Sequence, residues 1–309
     1  MKHKNQNQKN HEKRMAIRSE LNFGDYKVKF IPDAEFRLDG GAMFGVVPRV
    51  LWEKVCKPDK LNRIRLQTNC LFIETPSDRI LIDTGIGEKW DQKQQERLCI
   101  KREKPFAQKL FEITGYTVAD ITIVINTHLH FDHAGGNTVK LSNGEITPQF
   151  PNARYFVSQS ELEKAENPHE RERASYIPED WLPLKQTGQL ESKPDEYYAI
   201  EGLKLKRVKG HSETMQVVFL KRAGKALFGF ADLIPTTAHL PYAWIMSYDL
   251  FPTHTLAFKK TILPQAARKK WICWFYHDVS TPLCTLHEVG GKFEPVAIKD
   301  FQEESIWNK

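Results

Sequence analysis

The 309-residue sequence has no apolar run approaching the roughly 18 to 20 residues that a membrane-spanning helix needs. That excludes a helical membrane protein, and no membrane partner is expected. The polar opening "MKHKNQNQKNHEKR" has no apolar centre of the kind a secretory signal carries, so a cytoplasmic setting is expected. Cysteine is sparse and scattered. Cys56, Cys70, Cys99, Cys273 and Cys284 form no C-x-x-C pair, which leaves neither a disulfide framework nor a thiolate zinc site. A charge excess of one sign is also missing from the body of the chain. The formal charge is +6, but Lys2, Lys4, Lys9, Lys13 and Arg14 against Glu12 account for most of it. The basic, Asn/Gln-rich segment 1–19 is therefore expected to be a disordered arm rather than a nucleic-acid-binding element. Met15 offers an alternative start.

What is present is enough apolar material, 40% of residues, to build a full core. Residues 20–309 are expected to form a single domain, since no Pro/Gly/Ser linker divides them. From Tyr26 onward, short β-type runs alternate with helix-type segments, the pattern of an α/β or α+β fold. "TNCLFIETPSDRILIDTG" reads as two strands around a Pro-Ser-Asp turn, and "ITIVIN" and "ARYFVS" as further strands. A second set follows in "LKLKRVKG", "MQVVFLKRAGKALFGFAD" and "KWICWFYHD". Two charged stretches, "SQSELEKAENPHERERAS" and "PTHTLAFKKTILPQAARK", read as surface helices interrupted by proline. The two halves repeat a theme: an apolar strand ending in acid, then an apolar strand ending in histidine. Two sheets packed face to face, sharing a cleft at one edge, are the expected arrangement.

The strongest signal is "THLHFDHAGG", Thr127 to Gly136, directly after an apolar strand. Unpaired imidazoles and carboxylates are poor core material, so such a cluster points to a ligand set for metal. In an extended segment residues i and i+2 share a face, so His128, His130 and Asp132 can project together from the strand end. A turn into a helix then swings His133 toward a neighbouring position, and Ala134, Gly135 and Gly136 let backbone pass close to a crowded centre. Further candidate ligands stand at strand ends elsewhere: His211 in "VKGHSET", Asp232 in "FGFADLIP" and His277 in "WFYHDV". Five imidazoles and two carboxylates suit divalent zinc, with iron, manganese or cobalt as alternatives.

In these seven positions the chain resembles the metallo-β-lactamase superfamily, whose mark is H-x-H-x-D-H followed by a distant His, a bridging Asp and a final His. The resemblance, which extends over roughly Phe30 to Ile298, implies a four-layer αβ/βα sandwich. It implies two divalent metal ions, one held by His128, His130 and His211 and one by Asp132, His133 and His277, with Asp232 between them. Within the superfamily, "DGGAMFGVVPRVLW" and "ADLIPTTAHLPYAWIMSYDL" are similar to the branch containing quorum-quenching N-acyl homoserine lactonases and organophosphate hydrolases. A homodimer is compatible with that branch. There is one departure: many lactonases place a Tyr three residues after the bridging Asp, where this chain has Pro235.

Two metals sharing a bridging water bring its pKa from 15.7 toward about 7, so hydroxide at neutral pH is the expected nucleophile. Asp132 is expected to orient it and to shuttle a proton to the leaving group. The expected reaction is hydrolysis of an ester-like bond in a small ester or lactone. Met43, Phe44, Tyr242 and Trp244 are candidates for an apolar substrate wall, and His239, or failing that Tyr242, for the donor that replaces the missing tyrosine. Asp83 reads as a carboxylate supporting the ligands. An organophosphate or aryl ester hydrolase is the first alternative. A glyoxalase II-like thioesterase is less favoured, since only 32 residues follow His277 and that family implies a helical C-terminal domain. A non-catalytic metal-binding sensor is the reading from a different class.

Overall fold

The structure is a computed structural model and describes residues 20–298. The arm 1–19 lies outside the described residues. The first sheet takes β1 (Glu20–Phe23), β2 (Tyr26–Asp39), β3 (Arg63–Glu74), β4 (Arg79–Ile82) and β5 (Ile123–Ile125). A small hairpin of β6 (Thr138–Lys140) and β7 (Ile146–Pro148) follows, then β8 (Arg154–Ser158) and β9 (Leu190–Lys193) complete the sheet in the order β1-β2-β3-β4-β5-β8-β9. The second sheet runs in sequence order through β10 (Glu196–Ile200), β11 (Leu203–Arg207), β12 (Gln216–Arg222), β13 (Lys225–Gly229), β14 (Ile272–Trp274), β15 (Leu283–Val289) and β16 (Lys292–Ala297).

Alternation within the short strands explains the layering. In β4 and β5, Ile80, Ile82, Ile123 and Ile125 face the second sheet and meet Leu205, Val218, Leu220 and Trp274. Leu81 and Val124, one residue out of phase, face outward onto Phe106 and Leu110 of the helix Phe106–Thr114. Strands buried on both faces read as unbroken apolar runs, which is why "RILI" and "ITIVI" show no polar alternation. On the other side the helix Pro252–Arg268 packs Leu263 and Ala266 against Phe228, Cys273 and Phe275. The result is a helix–sheet–sheet–helix sandwich. One expectation is corrected here. The helix Pro252–Arg268 runs continuously through Pro264, whereas the helix Gln159–Glu166 does stop ahead of Pro168. Among the described residues no helix is long and apolar enough to cross a membrane.

The central strands β4 and β5 pair in parallel, and so do β13 and β14. The segments that leave their C-terminal ends carry Asp83, His128 to His133, Asp232 and His277. Both sheets therefore deliver polar side chains to the same edge of the sandwich.

Candidate metal centre

His128 and His130 flank Leu129 at the end of β5, and the turn Phe131–Ala134 that follows brings in Asp132 and His133. The second sheet supplies His211 from the loop before β12, Asp232 from the turn after β13 and His277 from the loop after β14. All seven side chains are buried. They form two groups, His128, His130 and His211 in one and Asp132, His133, Asp232 and His277 in the other, with the ligand atoms of each group within 4.8 Å of one another.

Their geometry fits cations. His128 Nε2 is buried with no hydrogen-bond partner, and His130 Nδ1 faces His211 Nε2 at 3.2 Å. The Nε2 atoms of His133 and His277 converge on Asp232 Oδ1 at 3.1 and 3.2 Å, while Asp232 Oδ2 lies 3.5 Å from His211 Nε2. Asp232 thus turns one oxygen to each group. Asp132 Oδ2 stands 3.6 Å from His277 Nε2. Burial, with the neighbouring histidines adding, holds the His128 and His130 imidazoles well below the ordinary histidine range, so both keep a lone pair. Burial also opposes charge on His133, but the Asp232 and Asp83 carboxylates outweigh it and raise that residue. A nitrogen and carboxylate donor set without thiolate suits zinc and its first-row neighbours.

The outward-facing nitrogens are held as well. His277 Nδ1 donates to the Gln67 carbonyl (3.0 Å); a carbonyl only accepts, so the proton is on Nδ1 and the lone pair on Nε2. His211 Nδ1 meets Asp249 Oδ1 at 3.2 Å, and His133 Nδ1 meets Asp83 Oδ2 at 2.9 Å. Asp83 also accepts from Thr127 N (2.7 Å) and Thr127 Oγ1 (2.8 Å). The small residues after the cluster have the expected use. A Cβ on Gly136 would stand 2.1 Å from the Thr84 carbonyl oxygen, and Thr84 N in turn donates to the His133 carbonyl (2.8 Å).

A cleft of about 210 Å³ opens over His130, Asp132, His211, Asp232 and His277. Residues 63–192 match the sequence pattern of the Metallo-beta-lactamase superfamily. The chain carries a metallo-beta-lactamase superfamily domain. An N-acyl homoserine lactonase of Bacillus thuringiensis is 25% identical over 273 residues, spanning 82% of this chain and 93% of its own. A probable metal-dependent hydrolase from Staphylococcus aureus superposes with a TM-score of 0.82 at 27% identity, covering 90% of this chain and 99% of that one. AidC, a dizinc quorum-quenching lactonase in complex with its product, shares the fold with a TM-score of 0.75 at 21% identity, over 90% and 96% of the two chains. The protein is an enzyme, a metal-dependent hydrolase that carries a metallo-beta-lactamase superfamily domain.

The cleft lining differs from the set expected to form the substrate wall. Met43 lines the cleft. Phe44 does not: it is fully buried, stacked on Trp52 at 5.3 Å and on His239 at 4.7 Å. Successive residues of the short helix Gly40–Phe44 point about 100° apart, so the pair cannot share a face. Trp244 packs edge-on against Phe44 and Tyr242 against Phe293, both outside the cleft lining. His239 is likewise directed elsewhere. Its Nδ1 meets Thr236 Oγ1 in its own loop and its Nε2 the Met43 carbonyl of the helix Gly40–Phe44, each at 2.8 Å, so both nitrogens already have partners. The apolar lining comes instead from Leu38, Met43, Leu66, Phe131, Met246, Tyr248 and Leu250. Arg171, missed in the sequence because it sits in a uniformly polar stretch, joins the two sides of the lining by donating to the Ser247 carbonyl (2.6 Å).

Proposed function

We propose that the protein hydrolyses lactones of the N-acyl homoserine type at a two-metal centre. His128, His130 and His211 hold one ion in this reading, Asp132, His133 and His277 the other, and Asp232 lies between them. Zinc as the metal, a cytoplasmic setting and a quorum-quenching role belong to the same proposal. Residues 20–298 act as one catalytic unit, because both sheets supply ligands. When bound, such ions supply Lewis acidity, polarising a carbonyl and making water a nucleophile at neutral pH.

The chain's own groups do the rest. The Asp132 carboxylate lines the cleft and can take a proton from water and hand it to the leaving oxygen. With His239 and Tyr242 placed elsewhere, the phenol of Tyr248, which lines the cleft together with Ser175 and Ser247, is the hydroxyl we assign as donor to the developing oxyanion. The observation that carries the lactone reading is the largely apolar lining of a cleft of about 210 Å³ beside the candidate ligand groups, on a sequence similar to N-acyl homoserine lactonases over most of its length. Phe131 and Tyr248 in the same lining favour an aryl ester or aryl phosphotriester as the second reading.

The test is a substrate series at fixed metal content. Each methylene buried is worth about 0.8 kcal/mol, so kcat/KM for N-acyl homoserine lactones should rise about fourfold per added CH2 until the cleft is filled. Turnover of aryl phosphotriesters with none of any lactone would replace the first reading by the second.

A further inference from the structure

The helix Gln159–Glu166 opens with Ser158, whose hydroxyl accepts from Glu161 N (3.3 Å). Ser158-x-x-Glu161 is the spacing of a capping box, in which the glutamate side chain reaches back to the N-cap N–H. Here it does not. Glu161 is 1% exposed and turns inward, where Oε1 accepts from Leu129 N (2.7 Å) and Oε2 from Thr214 Oγ1. Leu129 separates His128 from His130, and Thr214 stands three residues after His211.

We propose that Glu161 is the positioning residue of the three-histidine site, clamping the His128–Leu129–His130 segment of one sheet to the His211 loop of the other. It rests on the reading that these histidines hold a metal ion. The Leu129 N–H belongs to the peptide that links His128 to Leu129, and the orientation of that plane sets where the two flanking imidazoles project. A second backbone tie, Gln216 N to the Thr127 carbonyl (2.9 Å), fixes the separation of the two loops but lies outside the triad. Tyr176 completes the surroundings. Its ring packs edge-on against His130 with centroids 4.8 Å apart, and its hydroxyl is buried near Glu161. Burying a carboxylate is costly unless donors meet it. Here the local capping bond is given up and both donors come from the loops that carry the ligands.

Removing a group that orients a metal-binding histidine costs roughly 10- to 100-fold in metal affinity. The test titrates the metal-free full-length chain with zinc against a chromophoric chelator, resolving the two stepwise affinities. In Glu161→Met one affinity should fall by roughly 10- to 100-fold while the other changes by less than about threefold. Thr214→Val, which cuts the tie to the His211 loop alone, should weaken the same step to a smaller degree, and it carries the test if Glu161→Met does not fold. Glu161→Gln keeps an oxygen for Leu129 N–H and an amide that can donate to the Thr214 hydroxyl, so it should restore most of the affinity. Unchanged affinities in Glu161→Met and Thr214→Val, or both steps falling together, would overturn the assignment. A wild-type chain that takes up fewer than two ions would instead refute the metal reading itself, and this inference with it.

Discussion

Replacing Asp83 by asparagine keeps the shape of the side chain and changes one property, the ability of Oδ2 to accept. Asp83 sits in the left-handed region at φ +54°, a conformation asparagine tolerates, so the backbone is not strained. Its Oδ1 accepts from Thr127 N at 2.7 Å, and the asparagine oxygen must take that place, because the reverse flip would set an NH2 against an N–H. The amide nitrogen then falls where Oδ2 accepts from Thr127 Oγ1 and His133 Nδ1. Nδ1 faces a donor and must become the acceptor, which moves the ring proton to Nε2. That is the atom directed at Asp232 and the rest of the four-residue group. Holding a metal then requires breaking the new hydrogen bond, and the expected cost is roughly 10- to 100-fold in affinity for the ion at that group, or about 1.4 to 2.7 kcal/mol. Competition titration with zinc measures it, with circular dichroism to confirm the fold. Two ions bound at wild-type affinity by folded Asp83→Asn would refute the tautomer argument.

Two other perturbations probe the supports of the site. Gly136→Ala places a Cβ 2.1 Å from the Thr84 carbonyl oxygen; the backbone must separate, costing about 1 to 3 kcal/mol, and because Thr84 holds the His133 carbonyl, denaturant unfolding and metal affinity should both worsen. Lys259 is buried beneath the loop that carries Met246 to Leu250 and donates to the carbonyls of Pro241 (2.6 Å) and Trp244 (3.0 Å). Burial pushes its ammonium down to about 7, against the pull of Asp249. Between about pH 7 and the ordinary lysine range near 10.5 the unfolded chain holds a proton that the folded chain lacks. Stability therefore rises with pH there by up to about 1.4 kcal/mol per unit. Urea unfolding from pH 7.5 to 9.5 should show this rise in the wild type and its loss in Lys259→Met; parallel curves would show that Lys259 does not titrate in this window.

The gathering of the seven candidate residues at one edge was legible because they are local or strand-bound. H-x-H-x-D-H is contiguous, and His211, Asp232 and His277 each stand beside a strand whose apolar run could be recognised. The layering was legible for the same reason, since "RILI" and "ITIVI" are too short for helices and too uniformly apolar for an exposed sheet. The cleft wall was not. Whether Met43 or its neighbour Phe44 faces the cleft depends on the phase of a single helical turn, and the direction of His239 depends on a carbonyl 196 residues away in sequence. Glu161 shows the limit most clearly. Its spacing from Ser158 suits a capping box, and only the approach of Leu129 and Thr214 from distant parts of the chain reveals that its carboxylate is used elsewhere. The course of the helix through Pro264 was hidden too, because proline in a charged segment signals an interruption.

The most direct test of the two-metal centre is the metal content of the full-length chain, measured by elemental analysis after purification and again after reconstitution with zinc, manganese or cobalt. Seven buried nitrogen and oxygen ligands in two groups exceed what one tetrahedral site can use, so two ions per chain are expected. His211→Ala and His277→Ala should each retain close to one. A wild-type chain that stays at one ion or none after reconstitution with all three metals would contradict the two-metal assignment.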